Sequence, residues 1–129
     1  MNKYTYFFLI FIIPLSLISQ EKVDFFENVY SIVKKIHFGR VSTYGAIAKY
    51  LGSSKSARVV GWAMNASHLN KDIPAHRVVN RIGLLTGKNH FFGINLMRQL
   101  LENERLIIEN DQIKDFELFF CDCTWCAVF

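Results

Sequence analysis

Residues 42–65 read STYGAIAKYLGSSKSARVVGWAMN, and their spacing predicts two short helices joined by a tight turn. Ser42 and Thr43 are both good caps for the start of the first helix. The buried side of that helix is apolar at three- and four-residue steps. It comprises Tyr44, Ile47, Ala48 and Leu51. Gly52 then supplies the left-handed residue that commonly ends a helix.

The second helix of this pair is predicted from about Lys55 to Asn65. Its inward face is apolar and mostly small, with Ala57, Val60, Ala63 and Met64. Two helices linked by a glycine-containing turn form a candidate helix-turn-helix, whose second helix presents its early residues to a DNA groove. Those residues include Ser56 and Arg58, and Gly61 allows close approach. A helical hairpin that binds nothing would show the same pattern, so the motif alone leaves both readings open.

One helix on each side of the pair and two small hairpins complete the predicted fold. Asp24 is a suitable cap for a helix with an apolar stripe. The stripe comprises Phe25, Phe26, Val29, Tyr30, Val33 and Ile36. A fourth helix is predicted to end near Glu104. Residues 78–85 predict a hairpin like the wing of a winged helix, and residues 106–114 predict a second one. The predicted class is mainly α with small β-hairpins, a winged helix-turn-helix-like domain over residues 24–117.

The stretch IPAHRVVN at residues 73–80 has the layout of a reactive site. Pro74 fixes its own φ and favours an extended residue before it, so a stiff turn presents position 75. A base and a cation, His76 and Arg77, follow at once, which suits chemistry at that position. The occupant is Ala75, whose methyl group can neither attack nor accept a group. Residues 87–93 predict a loop that could cover a pocket. A charged surface loop would also fit the tetrapeptide.

Charge is distributed unevenly along the chain, whose formal net charge is +4. Between Lys34 and Lys88 lie ten basic residues and a single acid, Asp72. From Glu102 onward seven acids stand against two bases. Basic charge confined to one segment predicts a surface for a polyanion such as DNA. A solvated face without a partner is the alternative.

The two ends of the chain are predicted to lie outside the domain. Residues 1–23 have a charged start and an apolar run typical of a signal peptide, too short for a membrane span and interrupted by Pro14. We expect a leader or nonessential extension there, with export or anchoring left open. Residues 118–129 hold all three cysteines, and we expect a tail without a metal site. A body without a disulfide framework favours the cytoplasm, at the nucleoid.

Three blocks of the sequence resemble the DNA-binding domain of the O6-alkylguanine-DNA alkyltransferases. They are FGRVSTYGAIA at 38–48, SARVVGWAM at 56–64 and IPAHRVV at 73–79, in the family's order and spacing. The family carries an acceptor cysteine between that proline and histidine, where this chain has Ala75. The chain therefore resembles the alkyltransferase-like branch, which binds alkylated guanine without repairing it.

The resemblance implies roles for individual residues. Arg58 would fill the gap that a flipped nucleotide leaves in the base stack, and Tyr44 would crowd the neighbouring phosphate. His76 and Glu104 match the pair that would have activated the cysteine. The implied DNA contacts are Tyr44, Lys55, Ser56, Arg58, Gly61, Arg77 and Arg81. The implied lesion pocket comprises Tyr44, Trp62, Pro74, Ala75, Val78, Lys88 and Asn89.

The implied function is non-catalytic recognition of O6-alkylguanine, flipped from duplex DNA through the minor groove and marked for excision repair. No cofactor or metal is expected. The expected partners are damaged duplex DNA and nucleotide-excision-repair proteins, with the chain itself a monomer. Two alternatives stay open. One is a winged-helix regulator that reads undamaged sequence. The other is a residual methylated-DNA-protein-cysteine methyltransferase that uses a tail thiol from Cys121, Cys123 or Cys126.

Overall fold

The computed structural model describes residues 20–52, 56–67, 70–93 and 95–124. Within these ranges lie five α-helices and four two-residue strands. In chain order they are α1 (20–33), β1 (Ser42–Thr43), α2 (Tyr44–Tyr50), α3 (Ala57–Ala66), β2 (Val78–Val79), α4 (Leu96–Asn103), β3 (Ile108–Glu109), β4 (Gln112–Ile113) and α5 (Phe116–Phe119). Two short 3₁₀ helices occupy Ala75–Arg77 and Lys88–His90. The predictions for Lys55, for Cys126 and for most of the leader lie outside the described residues.

The central helical pair forms as the sequence predicts. Thr43 is extended and its Oγ1 accepts a hydrogen bond from the Ala46 amide at 3.0 Å, which caps the start of α2. Gly52 follows with a φ of +83°, the left-handed region that glycine favours. Helix α3 begins at Ala57, two residues later than predicted, with its apolar face buried and Arg58 exposed.

Helix α1 differs from the prediction at its start. The helix is already in progress at residue 20, so Asp24 lies inside it and does not cap it. The Asp24 carboxylate accepts a hydrogen bond from the Gln20 side-chain amide at 3.0 Å, one helical turn away. No described helix combines the length and apolarity that a membrane crossing requires.

The predicted wing at residues 78–85 does not form. Val78 and Val79 instead pair in parallel with Ser42 and Thr43. The physical reason is burial, because both valines are fully inaccessible and their backbones need partners inside the protein. The chain then turns sharply, and Leu84 bridges to Gln112. The second predicted hairpin does form, as the antiparallel pair β3–β4.

Strands β1 and β2 lie between two hydrophobic clusters. Successive strand side chains point to opposite faces, so Val78 enters one cluster and Val79 the other. The first cluster comprises Val29, Ile32, Val33, Ile36, Ile47, Ala48, Val60, Ala63, Met64, Ile73, Val78 and Cys123. The second comprises Val41, Val79, Leu85, Met97, Leu101, Leu106, Ile108 and Ile113.

The fold continues beyond residue 117, where the sequence analysis placed the start of a separate tail. We term residues 119–123 the C-terminal strap. Val41 donates from its amide to the Phe119 carbonyl at 3.0 Å and accepts from the Cys121 amide at 2.8 Å, so the strap runs parallel beside the start of β1. The Cys123 side chain is buried in the first cluster. A side chain in the core ties the segment to the domain.

Gly83 generates a prediction about stability. Its φ is +84°, and a Cβ there would lie 2.9 Å from the Phe116 ring. Gly83→Ala should therefore lower the free energy of unfolding by about 2 kcal/mol through backbone strain and the ring clash. The matched control is Gly61→Ala in α3, where an added Cβ meets nothing within 4 Å. That change should stabilise by about 0.5–1 kcal/mol because alanine is the better helix former. Urea unfolding of both variants checks this, and a Gly83→Ala protein as stable as the parent would contradict it.

Candidate functional site

The turn at residues 73–77 holds position 75 rigidly, as the prolyl residue predicts. Ala75 donates from its amide to the Ile73 carbonyl at 2.8 Å, and Arg77 donates to the Pro74 carbonyl at 3.0 Å. The first bond closes a γ-turn around Pro74, and the second closes a single 3₁₀ turn immediately before β2. The half-buried Ala75 methyl group is therefore fixed in place, and the turn presents it to two cavities.

The two cavities share Ala75 and Phe91. The small cavity has a volume of about 20 Å³, room for roughly one water molecule, and is lined by Tyr44, Met64, Asn65, Ala75, Val78, Gly87, His90, Phe91 and Met97. The large cavity has a volume of about 350 Å³ and is lined by Ser67, Asn70, Lys71, Ile73, Ala75, His76, Phe91, Phe92, Leu96 and Leu100. Residues from the 87–93 loop line both, which fits the expectation that this loop covers a pocket.

Tyr44 lies at the wall of the small cavity, at the first position of α2. Its hydroxyl forms a hydrogen bond with the Thr86 side chain, and a Cβ on Gly87 would lie 3.0 Å from the hydroxyl oxygen. The absent side chain at Gly87 thus makes room for the phenol. Burial raises the pKa of Tyr44, with the Thr86 hydrogen bond opposing. The hydroxyl therefore stays neutral and would not repel a phosphate.

A buried carboxylate behind position 75 organises the turn. Glu104, 5% exposed, accepts hydrogen bonds from the Gly39 amide at 2.8 Å and from Arg77 Nε at 2.8 and 3.2 Å. It also forms a short contact with His76 Nε2. Arg77 donates a further bond, from Nη1 to the Ile36 carbonyl at 2.7 Å. The predicted His76–Glu104 pair is therefore present, together with an arginine partner that the sequence analysis did not assign.

The environment of Glu104 favours its charged form. Burial by itself would raise the pKa of this carboxyl group. The hydrogen bonds from His76 and Gly39 and the positive charges of His76 and Arg77 outweigh that effect, so the pKa is lowered. The carboxylate therefore stabilises the fold only while it remains ionised.

The predicted DNA-contacting residues are accessible on and near α3. Arg58 and Arg81 are exposed, and the space around Gly61 is open. Ser56 directly precedes the helix. Ser56, Arg58 and Gly61 form a candidate surface on α3 that a DNA groove could approach closely, whereas Arg81 lies with Lys49 of α2 and Phe116 of α5.

Several residues lie elsewhere than the resemblance implied. The Arg77 guanidinium faces inward onto Glu104, because a buried carboxylate needs a charged partner, and it is not presented to a phosphate. Trp62 does not line either cavity in the described chain, and Lys22 of α1 lies 5.2 Å from its ring centroid. Lys88 forms an ion pair with Asp111 of the hairpin, and Asn89 is exposed, so neither side chain lines the small cavity.

The small cavity also contains residues that the sequence analysis missed. Met64, Asn65, His90, Phe91 and Met97 come from three separate elements. Met64 and Met97 carry the helical periodicity of core residues, and that signal does not distinguish a core wall from a pocket wall. His90 and Phe91 belong to the 87–93 loop, which was predicted to cover a pocket without either residue being assigned to the site.

Cys123 carries a free thiol that is unsuited to nucleophilic chemistry. The side chain is 8% exposed, and its sulfur lies 3.3 Å from the Ser42 hydroxyl. Burial raises the pKa of the thiol, with the charge of Asp122 adding to the effect and the Ser42 hydrogen bond opposing it. Because the thiolate is the reactive form, this thiol is held in its inert state.

The fold and site define a class: a small helix-turn-helix domain of DNA-binding type, with preformed cavities beside a rigid Pro-Ala-His-Arg turn. A family model described as the DNA-binding domain of 6-O-methylguanine DNA methyltransferase matches residues 24–106. The chain belongs to this family.

The chain is similar to an alkyltransferase-like protein from Schizosaccharomyces pombe and to a protein from Mycobacterium tuberculosis. The alkyltransferase-like protein 1 of Schizosaccharomyces pombe is 34% identical over 102 residues, 79% of this chain and 94% of the relative. The crystal structure of that yeast's protein with damaged DNA containing O6-carboxymethylguanine matches with a TM-score of 0.68 and 33% identity, over 76% of this chain and 94% of that one. Mycobacterium tuberculosis OGT in complex with DNA matches with a TM-score of 0.56 and 38% identity, over 64% and 50%. The resemblance to alkyltransferase-like proteins is confirmed, and the chain spans about half of the mycobacterial protein.

The Glu104 network generates a prediction about pH. The lowered pKa means that its stabilising contribution is present above the ordinary value of 4.5 and is lost as the pH falls through the lower value of the folded state. Glu104→Gln should cost about 3 kcal/mol at pH 7, because a buried arginine loses its partner. Below about pH 5 the parent should lose stability more steeply than this variant.

The matched control is Glu102→Gln, two residues earlier and within α4, where the exposed carboxylate pairs with Arg98 one turn away. Loss of that surface pair should cost about 0.5 kcal/mol at pH 7. Chemical unfolding at a series of pH values measures all three proteins. Parallel pH profiles for the parent and Glu104→Gln would refute the assigned role of the carboxylate.

Proposed function

We propose that the chain is a non-catalytic reader of O6-alkylguanine in duplex DNA. The observation that carries the proposal is Ala75, held between two cavities beside an intact His76–Glu104 pair. The site has the shape and the neighbouring groups for chemistry on a bound group, whereas position 75 offers only a methyl group. Such a site can hold an alkylated base but has no acceptor there for its alkyl group. The output is reversible binding.

The two cavities suit the two parts of such a ligand. A base must leave the stack to expose its modified oxygen, at a cost of a few kcal/mol. A flipped base would enter beside Tyr44, where the small cavity, at about 20 Å³, must widen to admit it. The large cavity would receive the O6 substituent against Phe91, Leu96 and Leu100, where each buried methylene contributes about 0.8 kcal/mol. Longer apolar substituents should therefore bind more tightly than methyl.

Helix α3 would approach the DNA from the minor groove. Arg58 is exposed near its start, and Gly61 adds no side chain that would hold the duplex away. Insertion of Arg58 into the gap would offset part of the unstacking cost, and exposed Arg81 would contact phosphate. The similarity to a yeast protein solved with damaged DNA supports DNA as the partner. The bound complex, with the chain a monomer, would mark the lesion for nucleotide-excision-repair proteins.

The buried thiol argues against the transferase alternative. Cys123 is held in the first cluster and hydrogen-bonded to Ser42, and its thiolate is disfavoured. A reader of undamaged sequence would have no use for the paired cavities. A regulator of that kind would bind an undamaged duplex at least as tightly as a damaged one.

The central prediction compares a duplex with one O6-methylguanine to the same duplex with guanine. Binding measured by fluorescence anisotropy should be tighter for the damaged duplex by at least about tenfold, because only the lesion presents an alkyl group to the large cavity. An O6-benzylguanine duplex should bind more tightly still. Equal affinities for damaged and plain duplexes would eliminate the proposal.

Arg58→Ala provides the variant for the same assay. It should weaken binding to the damaged duplex by about tenfold or more, because the vacated stack is left unfilled. The control is Arg98→Ala, which removes an equal charge from the exposed face of α4. Affinity for the damaged duplex should then change by no more than about twofold. Equal losses in the two variants would mean that Arg58 contributes only general charge.

Placing a nucleophile at position 75 tests the proposal that the site lacks only an acceptor for the alkyl group. Ala75→Cys places a thiol next to His76 and its partner Glu104, so the variant should take up the alkyl group from O6-methylguanine and retain it covalently. Intact-mass analysis after incubation with damaged duplex measures the adduct. Ala75→Ser is the control of similar size with a poorer nucleophile. An Ala75→Cys protein that binds the lesion without forming an adduct would show that the cavities no longer align the carbon for attack.

A further inference from the structure

The strand β1 is held from both sides by distant parts of the chain. On one side it pairs with β2, which follows the Ala75 turn directly. On the other side the residue that precedes it, Val41, exchanges two backbone hydrogen bonds with the C-terminal strap. Arg40 adds a bond from its guanidinium to the Leu118 carbonyl at 2.8 Å. The short strand is therefore the middle of three parallel segments.

The strap is fixed at its far end by a buried side chain. Cys123 is 8% exposed, packs within the first cluster and lies 3.3 Å from the hydroxyl of Ser42, which is itself fully buried. Phe119, at the other end of the strap, packs against the second cluster. The strap thus packs against both clusters and is hydrogen-bonded beside β1, which lies between them.

The strand leads directly to the tyrosine of the small cavity. Ser42 contacts the strap, Thr43 caps α2, and Tyr44 is the first residue of that helix. A displacement of Ser42 is transmitted through two covalently linked residues to the phenol. Tyr44 directly follows β1 and Ala75 begins the 3₁₀ turn that leads into β2, and these two strands pair with each other. The strap bonds Val41, on the other side of β1.

We propose that the C-terminal strap is a positioning element for Tyr44, which it holds at the distance from Ala75 at which a flipped base is accepted. This inference rests on the proposed function. It assigns a role in lesion recognition to residues beyond the 24–106 match of the family model. The strap shares the first cluster with the buried face of α3, but none of its described hydrogen bonds reaches the exposed side of that helix or Arg58. Its release should therefore leave general DNA binding in place. Discrimination between damaged and plain duplexes should be lost.

The test introduces a charge at the buried end of the strap. Cys123→Asp should expel the side chain from the apolar cluster and release the strap. The control is Leu118→Asp, which adds the same charge at a position 70% exposed. With the control as reference, Cys123→Asp should lower the ratio of damaged-duplex to plain-duplex affinity by at least about fivefold, with plain-duplex affinity unchanged within about twofold. A 2-aminopurine beside the lesion should brighten less on binding, because the base is flipped less often.

A double-mutant cycle with Tyr44→Ala separates positioning from general structural support. If the strap acts through Tyr44, Cys123→Asp should cause no further loss of discrimination once Tyr44 is absent. Additive losses, or equal weakening towards both duplexes, would overturn the inference. Should Cys123→Asp fail to show cooperative unfolding, Phe119→Ala replaces it in the same cycle. A wild-type chain that does not discriminate would overturn the proposed function as well, whereas discrimination unaffected by strap release overturns this inference alone.

Discussion

The ionised carboxylate of Glu104 ties three regions of the chain together, and the geometry of the site depends on it. It follows α4, and it accepts bonds from the Gly39 amide and the Arg77 guanidinium and contacts His76. Arg77 extends the connection to the turn that follows α1, through the Ile36 carbonyl. A charge this deeply buried needs such partners, since an unpaired one would be strongly destabilising. The 75–77 turn is one of the regions so joined, and the carboxylate therefore fixes position 75.

This structural role accounts for the His76–Glu104 pair without any reaction. A histidine beside a buried carboxylate is commonly a sign of acid–base chemistry. Here the carboxylate also bonds an arginine and a backbone amide, so its removal would loosen the fold whatever occupies position 75. The pair can thus persist beside Ala75 as part of the framework that shapes the two cavities.

Sequence reasoning succeeded where the signal was local. Thr43 and Gly52 bound α2 because capping and left-handed turns depend on a few neighbouring residues. The parallel pairing of β2 was missed because two-residue strands carry no periodicity that could name a partner. Likewise Arg77 resembles a surface charge in sequence, and only the fold brings it to a carboxylate 27 positions away.

The C-terminal strap is a second case in which local sequence did not reveal a long-range contact. A run of acids and cysteines after the last hairpin has the composition of a solvated tail. The apolar residues Phe116, Phe119 and Phe120 recur at helical spacing and could have indicated that the chain turns back onto the domain. The burial of Cys123 could not have been foreseen, because nothing in its neighbours distinguishes a core thiol from an exposed one.

The arrangement of three parallel segments has a consequence for how the protein assembles. Helices α2 and α3 are neighbours in the chain and can pack early, whereas β1, β2 and the strap come from distant parts, and contacts of that kind form slowly. We expect α2 and α3 to pack against each other first and the small cavity to form last. During synthesis, a nascent chain would carry its groove-facing helix well before residues 119–123 leave the ribosome. Competence to accept a damaged base would then arise only after those residues have emerged.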